Sequence, residues 1–135
     1  MTDTDARDTV AAYFAAFNAG DSAGMLDLVT DDVEHHVNQG EIRRGKAAFA
    51  DFLAMMEGAY RERAEDLVIF TGENGTRAAA EFTIHGTYLA TQEGCPPARG
   101  QGYVLPVGSF FTLRDGRIAR VTTFYNMTDW MAQVA

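Results

Sequence analysis

The chain predicts an α+β domain, with helices gathered in its first half and long antiparallel strands in its second. Three observations point there. Apolar residues recur at helical spacing through the first half, with one short alternating segment among them. Alternation with a period of two then runs through most of the second half. Asn74-Gly75 and Asp115-Gly116 punctuate that half with the positive φ angles that two-residue hairpins require. At 135 residues the chain is expected to form one domain over 1–135, large enough to bury a core and enclose one modest cavity.

The elements follow in order. Val10, Tyr13, Phe14 and Phe17 fall at i, i+3, i+4 and i+7, one face of a helix that Asp3, Thr4 or Asp5 would cap and Asn18-Ala19-Gly20 would end. Asp21 caps a short second helix carrying Met25, Leu26 and Val29, and Thr30-Asp31-Asp32 breaks its pattern. Val33, His35 and Val37 then alternate with Glu34, His36 and Asn38 as a first strand. Gly45 precedes a third helix with Phe49, Phe52, Leu53, Met56 and Tyr60 on its face. From Arg63 to Asn126 the signals are strands: Leu67 to Phe70, Ala78 to Leu89, a Gly/Pro loop, Tyr103 to Leu113, and Ile118 to Asn126. Thr128 or Asp129 caps a last helical turn that carries Trp130 and Met131 onto the core. Helices on one face of a strongly bent antiparallel sheet make a cone with a pocket between the layers.

Charge and composition exclude several function classes. The net charge of -8 and a pI near 4.7, with Lys and Arg scattered, repel a nucleic-acid backbone. No apolar run approaches the roughly 20 residues that cross a bilayer, and the acidic start lacks a signal-peptide layout, so no membrane partner and a cytoplasmic location are expected. A lone Cys95 forms no internal disulfide. His35 and His36 are adjacent in a strand and point apart, so no metal is expected. Gly100-x-Gly102 neither follows a strand nor opens a helix, and no cofactor is expected.

Asn18-Ala19-Gly20-Asp21, Thr30-Asp31-Asp32, Gly45, Asn74-Gly75-Thr76, Gly86-Thr87-Tyr88, Pro96-Pro97, the run from Leu113 to Val121 and the terminal run from Asp129 to Gln133 together resemble the NTF2-like superfamily. Within it the likeness is to ketosteroid-isomerase-related and SnoaL-like polyketide-cyclase proteins, and it covers essentially the whole chain. The resemblance implies a curved cone with a hydrophobic pocket. It also implies that Tyr13, on the first helix, polarises a substrate carbonyl. The isomerases' general base, an Asp late in the first strand, falls at Val37 when counted from Asp31-Asp32. Their second, protonated acid falls near Ser109, and a His of the SnoaL-like pattern falls at Tyr88.

His35 is the candidate replacement for the base. It shares the apolar face of the first strand with Val33 and Val37, and an imidazole abstracts a proton near neutral pH. The competing reading is a core histidine bonded to a backbone carbonyl. Glu81 and His85 are claimed by two arguments. Patterning turns Phe82 and Ile84 inward and leaves these polar residues outside, whereas resemblance counted from Asn74-Gly75 puts them in the cavity. Resemblance also turns Tyr103, Leu105, Val107, Ser109, Phe111 and Leu113, with Val121, Thr123 and Tyr125, toward the cavity; Tyr60 and Tyr88 complete the expected pocket.

Two function classes stand. The first is a cofactor-independent isomerase or cyclase that moves a proton next to a carbonyl on a small hydrophobic substrate, with His35 as base and Tyr13 on the enolate. The second is a non-catalytic module that holds a hydrophobic ligand or dimerises through its outer sheet. The resemblance, together with strands that are apolar on both sides, implies a homodimer through the outer face of the sheet.

Overall fold

A computed structural model describes residues 2–135. Helix α1 covers Asp3–Asn18, and its cap is Thr2, earlier than any of the three expected residues. The reason is a reciprocal box: Asp5 N–H donates to Thr2 Oγ1 at 3.1 Å while Thr2 N–H donates to Asp5 Oδ2 at 2.9 Å. Asp3 is thereby left to accept the Gly75 N–H at 2.7 Å. Helix α2, Ser22–Asp27, is capped by Asp21 as its sequence indicates, and Val29 already belongs to the next element.

Strand β1 spans Val29–Val37 and absorbs Thr30-Asp31-Asp32, whose lack of pattern appears as irregular pairing between Val29 and Glu34. A two-residue strand β2, Arg43–Arg44, pairs antiparallel with it and carries no sequence signal of its own. Helix α3, Lys46–Ala59, stops one residue short of Tyr60, which opens β3, Tyr60–Gly72, instead of closing the helical face. Strands β4, Arg77–Tyr88, β5, Gly102–Arg114, and β6, Arg117–Phe124, follow, and helix α4, Met127–Val134, is capped by Asn126 and not by Thr128 or Asp129.

The six strands form one curved open sheet in the order β2-β1-β6-β5-β4-β3. The meander from β3 to β6 is antiparallel throughout. The sheet as a whole is mixed, because β1 lies parallel to β6, a long-range pairing invisible to local pattern. Asp115-Gly116 makes the expected two-residue turn, with φ of 52° and 80° between paired Arg114 and Arg117. Asn74-Gly75 does not: the flanking pair is Gly72 and Arg77, joined through a 3-10 turn that Asp3 ties to the start of α1.

Alternation sets the core. Ala78, Ala80, Phe82 and Ile84 of β4 and Leu105, Val107, Ser109, Phe111 and Leu113 of β5 are buried under the helices. Tyr13 and Phe14 of α1 meet Phe111 and Phe82 edge-on, at centroid separations of 5.8 and 4.8 Å. Helix α4 docks on β5 through Gln133, whose amide accepts from Val104 N–H and donates to Val104 C=O, both at 2.8 Å.

Candidate active site

The bend of the sheet and the three helices of the first half enclose a chamber of about 320 Å³. Its wall is largely apolar, from Phe14, Phe49, Phe52, Phe82, Leu105 and Trp130 among others. Of the residues singled out from sequence, Tyr13, His35, Tyr60, Ser109, Val121, Thr123 and Tyr125 border this chamber. Val37, at the position of the isomerases' base, borders it too.

The remaining expectations are corrected. Glu81 and His85 lie exposed on the convex face, because Phe82 and Ile84 take the inward positions of β4 and neighbours must alternate. Patterning was the better guide there, and His85 Nε2 pairs with Glu65 at 3.0 Å on that outer surface. Tyr88 is fully buried but turned to the Gly/Pro loop: its hydroxyl donates to Pro96 C=O at 2.8 Å and accepts the Gln92 N–H at 2.9 Å. Tyr103 is buried but does not border the chamber, its hydroxyl donating to Glu62 Oε2 at 2.5 Å.

His35 is 4 % exposed and its Nδ1 is enclosed with no hydrogen-bond partner among the described residues. The expected alternative, an imidazole capped by a backbone carbonyl, is therefore not what is found. The ring lies 4.4 Å from Phe52 and 4.9 Å from Phe49, centroid to centroid. Burial, reinforced by the positive charge of Arg43 and then by His36, lowers its pKa to about 4, so the imidazole is neutral at pH 7. Burial alone pushes the Tyr13 phenol above its ordinary range, with no hydrogen bond contributing. Ser109 Oγ and Thr123 Oγ1 share one hydrogen bond at 2.8 Å, which uses the hydrogen of one hydroxyl and leaves that of the other free for a ligand.

Two charged residues of the wall escaped sequence reasoning. Arg43 of β2 sits beside His35 in register, its guanidinium 4.6 Å from the Phe52 ring centre. Glu62 of β3 borders the chamber and also an adjoining groove that opens between α2, α3 and β3. Burial raises its carboxyl above the usual range, opposed by the hydrogen bond from Tyr103. A signal existed: Tyr60, Glu62 and Ala64 share one face of β3, and Ala64 is buried. Local pattern hides it, because Tyr60 continues the helical face of α3 and Arg61, Arg63 and Glu65 swamp the alternation.

Among the described residues no group of three His, Cys, Asp or Glu side chains converges as a metal site, and no helix is long and apolar enough to cross a membrane.

A helical layer over a curved sheet, with a mostly apolar chamber between them, defines the class. Residues 10–121 match the SnoaL-like domain model, and the chain belongs to that family. A candidate polyketide cyclase from Silicibacter sp. TM1040 is 57% identical with a TM-score of 0.95, over 100% of this chain and 98% of that one. A second, from Pseudomonas putida KT2440, is 55% identical with a TM-score of 0.95, over 100% and 99%. An NTF2-like protein from Burkholderia xenovorans LB400 shares the fold at 16% identity, with a TM-score of 0.80 over 100% and 99%. No curated protein matches the chain.

Proposed function

We propose that this protein is a small-molecule enzyme of the ketosteroid isomerase and polyketide cyclase type, transferring a proton next to a carbonyl on a hydrophobic substrate. The observation that carries the reading is the pairing of two uncommitted polar groups, the Tyr13 phenol and the His35 imidazole, with one apolar chamber. A carbonyl oxygen beside Tyr13 receives a hydrogen bond that strengthens as negative charge develops there. His35, neutral at pH 7, accepts the proton through Nε2, since Nδ1 is enclosed. The low-dielectric wall strengthens both interactions and keeps water from the enolate. The cyclase descriptions of the two half-identical relatives support the same chemistry.

Solvent-deuterium exchange into β-tetralone, an apolar ketone with acidic α-hydrogens, tests the reading by NMR. Exchange by the native chain above the buffer rate, lost in His35→Ala, is expected. Equal exchange by both would remove His35 from the mechanism. A second reading, a non-catalytic binder of hydrophobic ligands, is favoured by Val37 at the usual base position; binding of β-tetralone with no exchange would establish it in place of the first.

A further inference from the structure

We propose that Glu62 is a second catalytic residue, the general acid that delivers a proton to the substrate at the opposite edge of the sheet from His35, and that Tyr103 and Gly86 position it. The proposal rests on the proton-transfer reading above. His35 lies on β1, next to one end of the strand order, and Glu62 on β3 at the other end, yet both border the same chamber. A substrate filling that space meets an imidazole on one side and a carboxyl on the other. Glu62 also borders the groove outside, which gives its carboxyl a route to exchange protons with solvent between turnovers.

The carboxyl is held by a built device. Glu62, Gly86 and Tyr103 stand in one register row across β3, β4 and β5. The Tyr103 ring crosses the middle strand to reach Glu62, and it can do so only because residue 86 has no side chain. A Cβ there would sit 2.2 Å from Tyr103 Cζ and 2.5 Å from its hydroxyl oxygen. The phenol occupies Oε2 at 2.5 Å. Oε1 has no partner among the described residues and is the atom free to carry a proton to a ligand. Burial disfavours the ionised form of this carboxyl, which suits an acid.

In the resulting sequence on a β,γ-unsaturated ketone, the α C–H bond breaks and its proton passes to His35. The electron pair makes a dienolate whose oxygen accepts from Tyr13. The Glu62 O–H bond then breaks, its proton forms the new C–H bond at the γ-carbon, and the carboxylate remains. The product is the conjugated enone, and imidazolium and carboxylate reset by exchange with water.

The test uses a β,γ-unsaturated cyclohexenone, reading α-deuteration and formation of the conjugated product separately. Glu62→Gln, which preserves shape and a hydrogen-bonding partner for Tyr103, is expected to slow isomerisation by at least about 10²-fold, with a far smaller fall in α-exchange. Tyr103→Phe and Gly86→Ala are expected to slow isomerisation by up to about 10²-fold with KM unchanged, a split that general loss of structure would not produce. If the native chain exchanges and isomerises but Glu62→Gln matches it in both, the assignment of Glu62 is overturned. If the native chain does neither, the proton-transfer reading itself fails, and Glu62 with it.

Discussion

The Tyr103 hydroxyl reaches Glu62 Oε2, two strands away, over the bare backbone of Gly86. Gly86 is thus a notch: the three atoms nearest to an added methyl all belong to the far end of the Tyr103 ring, 2.2 to 2.5 Å away. Gly86→Ala is expected to cost about 1–3 kcal/mol through overpacking. In a Tyr103→Ala background that penalty should largely vanish, because nothing is left to displace. Urea unfolding of the two single variants and the double variant checks it; an equal penalty in both backgrounds would place the strain elsewhere.

Tyr13 separates function from stability in the opposite way. Its ring is packed against Phe14 and Phe111, but no hydrogen bond contributes to the raised pKa of its hydroxyl. Tyr13→Phe keeps the ring contacts and removes a buried hydroxyl that makes no hydrogen bond, so stability should not fall. As the proposed donor to the enolate, the same hydroxyl is expected to account for about 10²–10³ in kcat. Exchange kinetics with β-tetralone and a urea titration, run on one preparation, read the two effects side by side.

What the sequence revealed and concealed divides along physical lines. Elements with strong local period, such as the α1 face Val10, Tyr13, Phe14 and the alternating β4 and β5, were legible because burial itself creates the pattern. The cap at Thr2, the β1–β6 parallel pairing and the turn at Asn74-Gly75 were not, since each depends on a partner distant in sequence or on a reciprocal bond. The site followed the same rule. His35 and Tyr13 sit on apolar faces and could be found, whereas Glu62 sits half-buried among charged neighbours on β3, and its hydrogen-bond partner, Tyr103, is distant in sequence.

The depressed pKa of His35 makes a prediction about stability and pH. In the unfolded chain the imidazole takes up a proton near 6.5, whereas in the folded protein it does so only near 4. Between those values the unfolded state binds more protons, so acid favours unfolding. The stabilisation linked to this residue is fully present above pH 6.5 and is lost as pH falls toward 4, by about 3 kcal/mol in all. His35→Leu removes the titration, so the gap in unfolding free energy between native chain and variant should shift in the variant's favour by that amount from pH 7 to pH 4. A gap that stays constant across the range would show that the ring titrates normally in the fold.

The convex face carries an exposed aromatic row. Phe70, Ala79 and Phe110 form one register row across β3, β4 and β5, and Phe124 of β6 meets Phe110 at 5.9 Å between ring centres. Phe70 is 55% exposed, Phe110 47% and Phe124 36%, an aromatic surface on strands whose other side is already covered by helices. Apolar area of this kind gains by exclusion from water, and a second copy of the same face supplies a partner by two-fold symmetry. We therefore expect a homodimer closed through this sheet. Sedimentation velocity should give twice the 14.8 kDa chain mass. Phe110→Glu, which sets like charges near the centre of the patch, should return the monomer with its near-ultraviolet circular dichroism intact. A native chain that sediments as a monomer throughout the micromolar range would leave the aromatic row without this role.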